Sequence, residues 1–178
     1  MTELTVLAEE GPITLGFPDL VRYHGHAALA MLAVTFRAQE AAFGRLCPDG
    51  PPRRDAIEVR SGHPGPGVRD AFEMVTRCVT RRVYTVDPEL PGPRYNPRGP
   101  AVYAFEITVA GRGSQHVAVR PGVLPDEFFD YLAAGAGGNA SAEVKLEFAA
   151  LRRRIADVVL VTDLDQLFEC EYGALPAR

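Results

Sequence analysis

The chain has 178 residues, 47% of them hydrophobic, and a net charge of −4 from 19 basic and 23 acidic side chains. Its length matches one domain of about 100 to 200 residues, so we expect a single domain over residues 1–178. The hydrophobic content is too high for a disordered chain. The negative net charge gives no general attraction for phosphate backbones, which argues against nucleic-acid binding.

The N-terminal residues and the cysteines bear on cellular location. Residues 1–10 lack a basic segment followed by an apolar core, so we expect no signal peptide. No window approaches the roughly 18 apolar residues that span a bilayer, so we expect no membrane segment. Cys47, Cys78 and Cys170 are odd in number and widely spaced, which is typical of reduced thiols. We therefore predict a cytoplasmic protein.

The N-terminal part of the chain predicts a hairpin and two helical segments. Residues 4–7 and 13–15 are short apolar runs on either side of a turn, which predicts a β-hairpin. Residues 17–21 predict a short helical turn, and residues 26–46 predict one long helix that is apolar nearly all round in its first half. In its second half, the polar side chains expected to face solvent are Arg37, Gln39, Glu40 and Arg45.

Short elements and loops alternate in the middle of the chain. Residues 56–59 predict a strand, and the glycines and prolines of residues 61–67 predict a loop. Residues 68–82 predict a helix, because apolar residues recur at helical spacing, and this helix turns Cys78 inward. Residues 87–100 contain five prolines and predict an irregular segment.

The clearest hairpin spans residues 101–109 and 115–120, which are joined by a glycine-rich turn. Strand alternation puts Val117 and Val119 on one face and His116 on the other, where we expect a surface or dimer contact. Together with the two longer helices predicted before it, this hairpin indicates an α+β fold. We expect a small, mostly antiparallel sheet packed with helices.

Residues 125–170 predict a C-terminal helical segment. It starts with a helix over residues 125–133 and continues with a longer one over residues 141–159. The apolar residues of the longer helix are spaced alternately by four and three, a seam that either packs against the domain's own sheet or joins two chains. A capping-box pattern at Asp163 predicts a last short helix through Phe168. The seam residues are Val144, Phe148, Leu151, Ile155 and Val158.

Two of the four histidines, His24 and His26, lie one residue apart before the apolar run of residues 27–34. A buried imidazole without a partner costs a few kcal/mol, so the pair either forms a site or caps a helix. Residues two apart on a helix diverge by about 200°, so both histidines can bind one metal only where the chain turns. Gly25 between them allows such a turn.

A family resemblance rests on this His-Gly-His motif together with Asp-Ala-Phe-Glu at 70–73 and Thr-Arg-Cys at 76–78. In order and spacing these residues resemble the E-type subunit family of formylmethanofuran dehydrogenase. Its members typically show His-Gly-His-x-Cys-Pro-Gly and, on a later helix, Cys-x-x-Asp-Ala-Ile-Gln-x-x-x-Gly-Cys. The resemblance covers about residues 17–120, and it implies the fold of that family.

The chain departs from the family pattern at two cysteines. Ala28 stands where the first motif has its cysteine, and Gly67 stands where the second motif begins. Cys78 is the one motif thiol that remains, Asp70 matches, and Glu73 replaces the glutamine. The cysteine-rich zinc module of longer members has no counterpart in this sequence. A Cys/His zinc cage copied from the family is therefore not expected to be intact.

The resemblance implies a metal-binding protein that acts on a small molecule. The divalent ion, zinc as first choice, is expected on His24 and His26, with His63 and Cys78 as additional ligands. Asp70 is the carboxylate expected to orient a ligand. The resemblance also implies a homodimer with the site near the dimer interface.

Two further hypotheses come from other classes of protein. In the first, His24 or His26 is an axial ligand of non-covalent haem, with the apolar residues 27–36 as a wall. In the second, the protein is a non-catalytic dimeric scaffold. Arginines 152–154 are interpreted as the solvated face of a helix. No phosphate loop, His-Glu-x-x-His motif or Gly-x-Ser-x-Gly elbow occurs, so no catalytic residue is assigned.

Overall fold

The structure is a computed structural model that describes residues 3–96, 99, 101–135 and 138–173. The predicted N-terminal hairpin is confirmed and consists of the antiparallel strands β1 (Glu3–Ala8) and β2 (Gly11–Gly16). Helices α1 (Phe17–His24) and α2 (Leu29–Leu46) follow, and a 3₁₀ turn (Arg54–Ala56) leads into the sheet.

The long helix predicted over residues 26–46 begins at Leu29 instead. Gly25 ends α1 with a φ of 88°, a backbone conformation that residues with a side chain rarely adopt. The chain therefore changes direction between the two histidines. His24 is the last residue of α1, and His26 lies in the connection to α2.

The prediction that the second half of α2 faces solvent is wrong for Arg37 and Gln39. Both are buried, Gln39 completely so at 0% exposure, because α2 packs against other helices and the sheet. Both side chains donate hydrogen bonds within the protein, although Oε1 of Gln39 accepts none from the described residues. Arg37 donates to Glu40 and to the carbonyl of Thr162, both at 2.6 Å, and Gln39 donates to the carbonyl of Ala71 at 3.3 Å.

A five-stranded sheet packs against α2 through its strands. Its strands are β3 (Ile57–Ser61), β4 (Tyr84–Val86), β5 (Ala104–Val109), β6 (Gly113–Val119) and β7 (Phe168–Gly173). The order is β4-β3-β5-β6-β7, and every neighbouring pair is antiparallel except β3 and β4. The predicted α+β fold with a mostly antiparallel sheet is confirmed. So is the predicted alternation in β6, where Val117 and Val119 are buried and His116 lies on the opposite face.

The helix predicted over residues 68–82 is shorter than its apolar pattern suggested. Helix α3 (Pro66–Thr76) ends at Arg77, which has a left-handed backbone with a φ of 58°. The chain turns there because the carboxylate of Glu73 accepts hydrogen bonds from the backbone N–H groups of Val79 at 2.7 Å and Thr80 at 3.1 Å. Cys78 is buried as predicted, but it lies in this turn and not on the helix.

The C-terminal segment contains α4 (Asp126–Ala133), α5 (Ala142–Val159) and α6 (Leu164–Leu167). The apolar seam of α5 packs mainly on α2, so it is used within the chain, and only Val158 at its end is 60% exposed. Helix α6 is present, but the side chain of Asp163 makes no capping hydrogen bond within the described part of the chain. Strand β7 was not predicted.

The proline-rich segment and the helices can be compared with two further predictions. Residues 87–96 are irregular as predicted, whereas residues 97, 98 and 100 of the same segment lie outside the described residues. Within the described ranges, no helix has the length and apolar character needed to cross a bilayer.

Candidate ligand cavity and His24–Asp70 pair

A cavity of about 320 Å³ lies where the end of α1, the start of α2, the loop before α3 and helices α4 and α5 meet. This volume is at the lower end of the range of about 300 to 1,000 Å³ found for small-molecule pockets. A surface depression of about 400 Å³ beside Arg53 and Arg112 is larger, but its described lining contains no histidine. The polar side chains of the smaller cavity are His24, His63, Tyr103 and Arg152, and its main apolar walls are Met31, Val68, Phe128, Leu132 and Phe148.

His24 forms a close pair with Asp70 at one end of the cavity. Nδ1 of His24 lies 2.7 Å from Oδ2 of Asp70, which reaches it from the first half of α3. An ionised carboxylate can only accept hydrogen bonds, so it fixes the proton of a neutral imidazole on Nδ1. Nε2 is then the free, basic nitrogen. It lies 3.7 Å from the position that a Cβ on Gly67 would occupy.

Positions 28 and 67, where the family that the motif resembles has cysteines, meet beside His24. A Cβ built on Gly67 would lie only 2.5 Å from the Cβ of Ala28. The start of α3 and the start of α2 can approach this closely because residue 67 has no side chain. Positions 28 and 67, which are 39 residues apart in the sequence, are therefore neighbours in this fold.

His63 contributes a second imidazole from the loop between β3 and α3. Its Nδ1 accepts a hydrogen bond from the Gly65 N–H at 2.9 Å, and its backbone N–H donates to Oγ of Ser61 at 3.1 Å. Burial lowers the pKa of His63 to about 4, so the imidazole is neutral at pH 7. Since Nδ1 is the acceptor, the proton sits on Nε2.

Tyr103 closes the cavity from the segment before β5. Its side chain is 1% exposed, and its ring meets the ring of His63 edge-on at 5.0 Å between centroids. Burial raises the pKa of Tyr103 to about 12, so the phenol keeps its proton at neutral pH. Across the residues that the structure describes, the Tyr103 hydroxyl has no hydrogen-bond partner.

Arg152 reaches the cavity from α5. Its Nη1 donates to the carbonyl of Ala27, and the guanidinium lies 4.4 Å from the ring centroid of Phe148. Burial lowers the pKa of Arg152, yet arginine remains charged in proteins. Its Nε is buried and has no hydrogen-bond partner among the described residues. No acidic side chain in the described ranges lies within ion-pair distance of this cation.

The structure brings together only two of the four predicted metal ligands. His24 and His63 line the cavity, whereas His26 is exposed and Cys78 is buried elsewhere. Burial raises the pKa of Cys78 to about 11, so its thiol stays protonated. Among the described residues, no three His, Cys, Asp or Glu side chains are arranged to hold a metal ion.

The apolar run proposed as a haem wall is mostly used for core packing. Ala27, Ala28 and Met31 line the cavity, but residues 32–36 are buried inside the protein and do not reach it. Only the first residues of the run are therefore available as a wall beside His24.

Sequence reasoning missed Tyr103 and Arg152 as site residues. Arg153 and Arg154 are exposed as predicted, but Arg152 is partly buried and points to the cavity. Helical spacing contained a signal for this difference, because Arg152 lies four residues after the buried Phe148 and follows the buried Leu151. Nothing in the local sequence distinguished Tyr103 from other core aromatics.

The chain matches no protein-family model and no curated protein. The likeness to the formylmethanofuran dehydrogenase family therefore rests on its motif residues.

Proposed function

We propose that this protein is an enzyme that transforms a small molecule in the cavity, with His24 as its general base. The observation that carries the proposal is the 2.7 Å contact between Nδ1 of His24 and Oδ2 of Asp70, beside a cavity of ligand size. A histidine oriented by a carboxylate on one nitrogen can take a proton with the other.

The direction of proton transfer follows from this geometry. Nε2 of His24 takes a proton from the substrate, and the imidazolium that forms is stabilised by the carboxylate of Asp70. In the reverse direction the same nitrogen returns the proton as a general acid. Asp70 does not line the cavity, so it acts as a positioning residue.

The wall composition supports chemistry on a small molecule. Apolar side chains such as Phe128, Leu132 and Phe148 form much of the cavity surface. Interactions between charges and dipoles are stronger in such surroundings than in water.

A substrate screen tests this function. The protein is incubated with pooled small metabolites, and consumption and formation of compounds are followed by mass spectrometry. We expect His24→Ala to lower turnover of the identified substrate by about 10²- to 10⁴-fold, the usual contribution of a general acid or base. His116→Ala is the matched control, because His116 lies on the sheet away from this cavity. Equal turnover by wild type and His24→Ala excludes the proposal.

A divalent metal ion, zinc as first choice, is a second candidate ligand of His24. The observation in its favour is Asp70 on Nδ1, because metal-binding imidazoles are commonly oriented by a carboxylate on the other nitrogen. The described cavity residues offer such an ion His24 and His63 but no third protein ligand of the usual types. No step of the proposed reaction uses a metal.

Elemental analysis and an absorption spectrum of one purified sample test the cofactor hypotheses. A stoichiometric metal that disappears in His24→Ala supports the metal site, and its loss in His26→Ala supports the pairing expected from the sequence. A Soret band supports haem. Full metal or haem content in both variants excludes His24 and His26 as ligands.

The resemblance also leads us to propose a cytoplasmic homodimer. Three free cysteines suit a reducing compartment. Leu146 and Val161 are exposed on and just after α5 and offer apolar surface for a partner. Light scattering of the purified protein tests the dimer, and a monomer at micromolar concentration contradicts it.

A further inference from the structure

We propose that the ligand of the cavity is a small carboxylate anion with an apolar body, and that Arg152 binds its carboxylate group. The inference rests on the proposed function, because it names the substrate class of the same site. It follows from the balance of charge and hydrogen-bond donors around the cavity.

Arg152 is a cation that has no counter-ion among the described residues. The groups that its guanidinium contacts are neutral: Ala27 supplies a carbonyl and Phe148 an aromatic face. A partly buried charge is normally paired, because removing it from water is unfavourable unless an opposite charge compensates. An anionic ligand would supply that opposite charge.

Two further polar side chains of the cavity, His63 and Tyr103, also offer hydrogen-bond donors. The neutral imidazole of His63 presents Nε2–H, since Nδ1 is occupied by the Gly65 N–H. The hydroxyl of Tyr103 is held in a side chain that is 1% exposed and has no acceptor within the described ranges. Oxygen acceptors on a bound molecule would pair with these two donors.

The apolar walls limit the ligand to a small organic acid. Met31, Phe128 and Leu132 surround most of the space beside Arg152, and they favour an aliphatic or aromatic body. The 320 Å³ volume is at the lower end of the range for small-molecule pockets, so it favours a small ligand.

The charge of the site favours a carboxylate over a phosphate. Arg152 is the single permanent cation of the described lining, and the carboxylate of Asp70 stands just behind His24. A dianionic phosphate would bring a second negative charge that no cation of this lining neutralises. A monoanion is compensated by one guanidinium, with a charge-assisted hydrogen bond.

With a carboxylate ligand, each polar side chain of the cavity has a separate role. Arg152 binds the carboxylate, and the donors of His63 and Tyr103 add contacts to oxygen atoms of the ligand. The unprotonated Nε2 of His24 remains for the proton-transfer step.

Calorimetric titration with benzoate, phenylacetate and hexanoate tests the inference on the full chain. We expect at least one of these carboxylates to bind, and the amide of the same acid, such as benzamide for benzoate, to bind at least about tenfold more weakly. Phenyl phosphate should also bind more weakly than benzoate. This comparison uses the wild-type protein and does not depend on the folding of a variant.

Variants of Arg152 test whether its guanidinium contacts the carboxylate of the ligand. Arg152→Gln should weaken binding of the carboxylate by about tenfold or more, and Arg152→Lys should retain part of it because the charge is kept. Arg153→Gln is the matched control, since Arg153 is an exposed neighbour on α5. Circular dichroism of each variant verifies the fold before titration.

The outcomes separate the two proposals. Absence of binding by all three carboxylates, equal binding of acid and amide, or full binding by folded Arg152→Gln each overturn the inference. His24→Ala should bind the carboxylate almost normally while losing turnover. If His24→Ala turns over normally but Arg152→Gln loses the carboxylate, the acid–base function fails and the ligand class stands.

Discussion

The two ends of α3 differ in how far the polar groups near them are hydrogen-bonded within the protein. At its C-terminal end the carboxylate of Glu73, in a residue that is 6% exposed, accepts hydrogen bonds from Val79 and from both the backbone and hydroxyl of Thr80. The cavity beside its N-terminal end contains Arg152, whose buried Nε has no hydrogen-bond partner in the described ranges, and Tyr103. The difference separates a polar group that maintains the fold from groups that we propose contact a ligand.

Glu73→Ala should produce the largest loss of stability among the substitutions considered for this comparison. It removes the acceptor of two backbone N–H groups in a tight turn and leaves them partly unsatisfied. We expect the free energy of unfolding to fall by about 2 to 4 kcal/mol. Urea unfolding measures the loss, and Glu10→Ala in the exposed hairpin turn is the control. A loss equal to that of the control contradicts the structural role of Glu73.

Acid should lower the stability of the folded protein through His63, which lies in the loop before α3. Its pKa is lowered from 6.5 to about 4 by burial. Between these values the unfolded chain binds a proton that the folded protein does not, so this contribution is complete above pH 6.5 and is lost as the pH falls toward 4. The full loss is about 3 kcal/mol.

His63→Gln isolates that contribution from the titration of the carboxylates. Thermal or urea unfolding near neutral pH and again about three pH units lower should show a smaller pH-dependent loss in the variant than in wild type. The same pH dependence in both proteins would mean that the imidazole of His63 titrates in the folded state as it does in the unfolded chain.

Tyr103→Phe should have the smallest effect on stability. The hydroxyl that it removes has no acceptor in the described protein, so the free energy of unfolding should change by less than about 0.5 kcal/mol or even rise. Affinity for the carboxylate that binds best should instead fall by about two- to tenfold. A clear loss of stability with unchanged affinity would assign the hydroxyl to the fold and not to the ligand.

Local patterns predicted most elements and failed at their ends. Alternation predicted the second hairpin, since one buried face per strand leaves a period of two in the sequence. Short apolar runs on either side of a turn predicted the first. The apolar spacing of α3 continued past Thr76, but the side chain of Glu73 ended the helix by binding the following turn. Strand β7 escaped prediction because five of its six residues are exposed and it pairs at the edge of the sheet.

By itself, the sequence determined the α+β class and singled out His24, His63 and Asp70. The fold class follows from period and turn chemistry, which are local properties. The candidate residues follow from residue type together with the family resemblance. Only the tertiary structure decided that Asp70, 46 residues from His24, is its partner and that Arg152, 125 residues from Ala27, faces the same cavity. It also separated His26 and Cys78 from that cavity. Such contacts depend on how α1, α3 and α5 pack around α2, and packing across long sequence separations leaves no periodic signal in one chain.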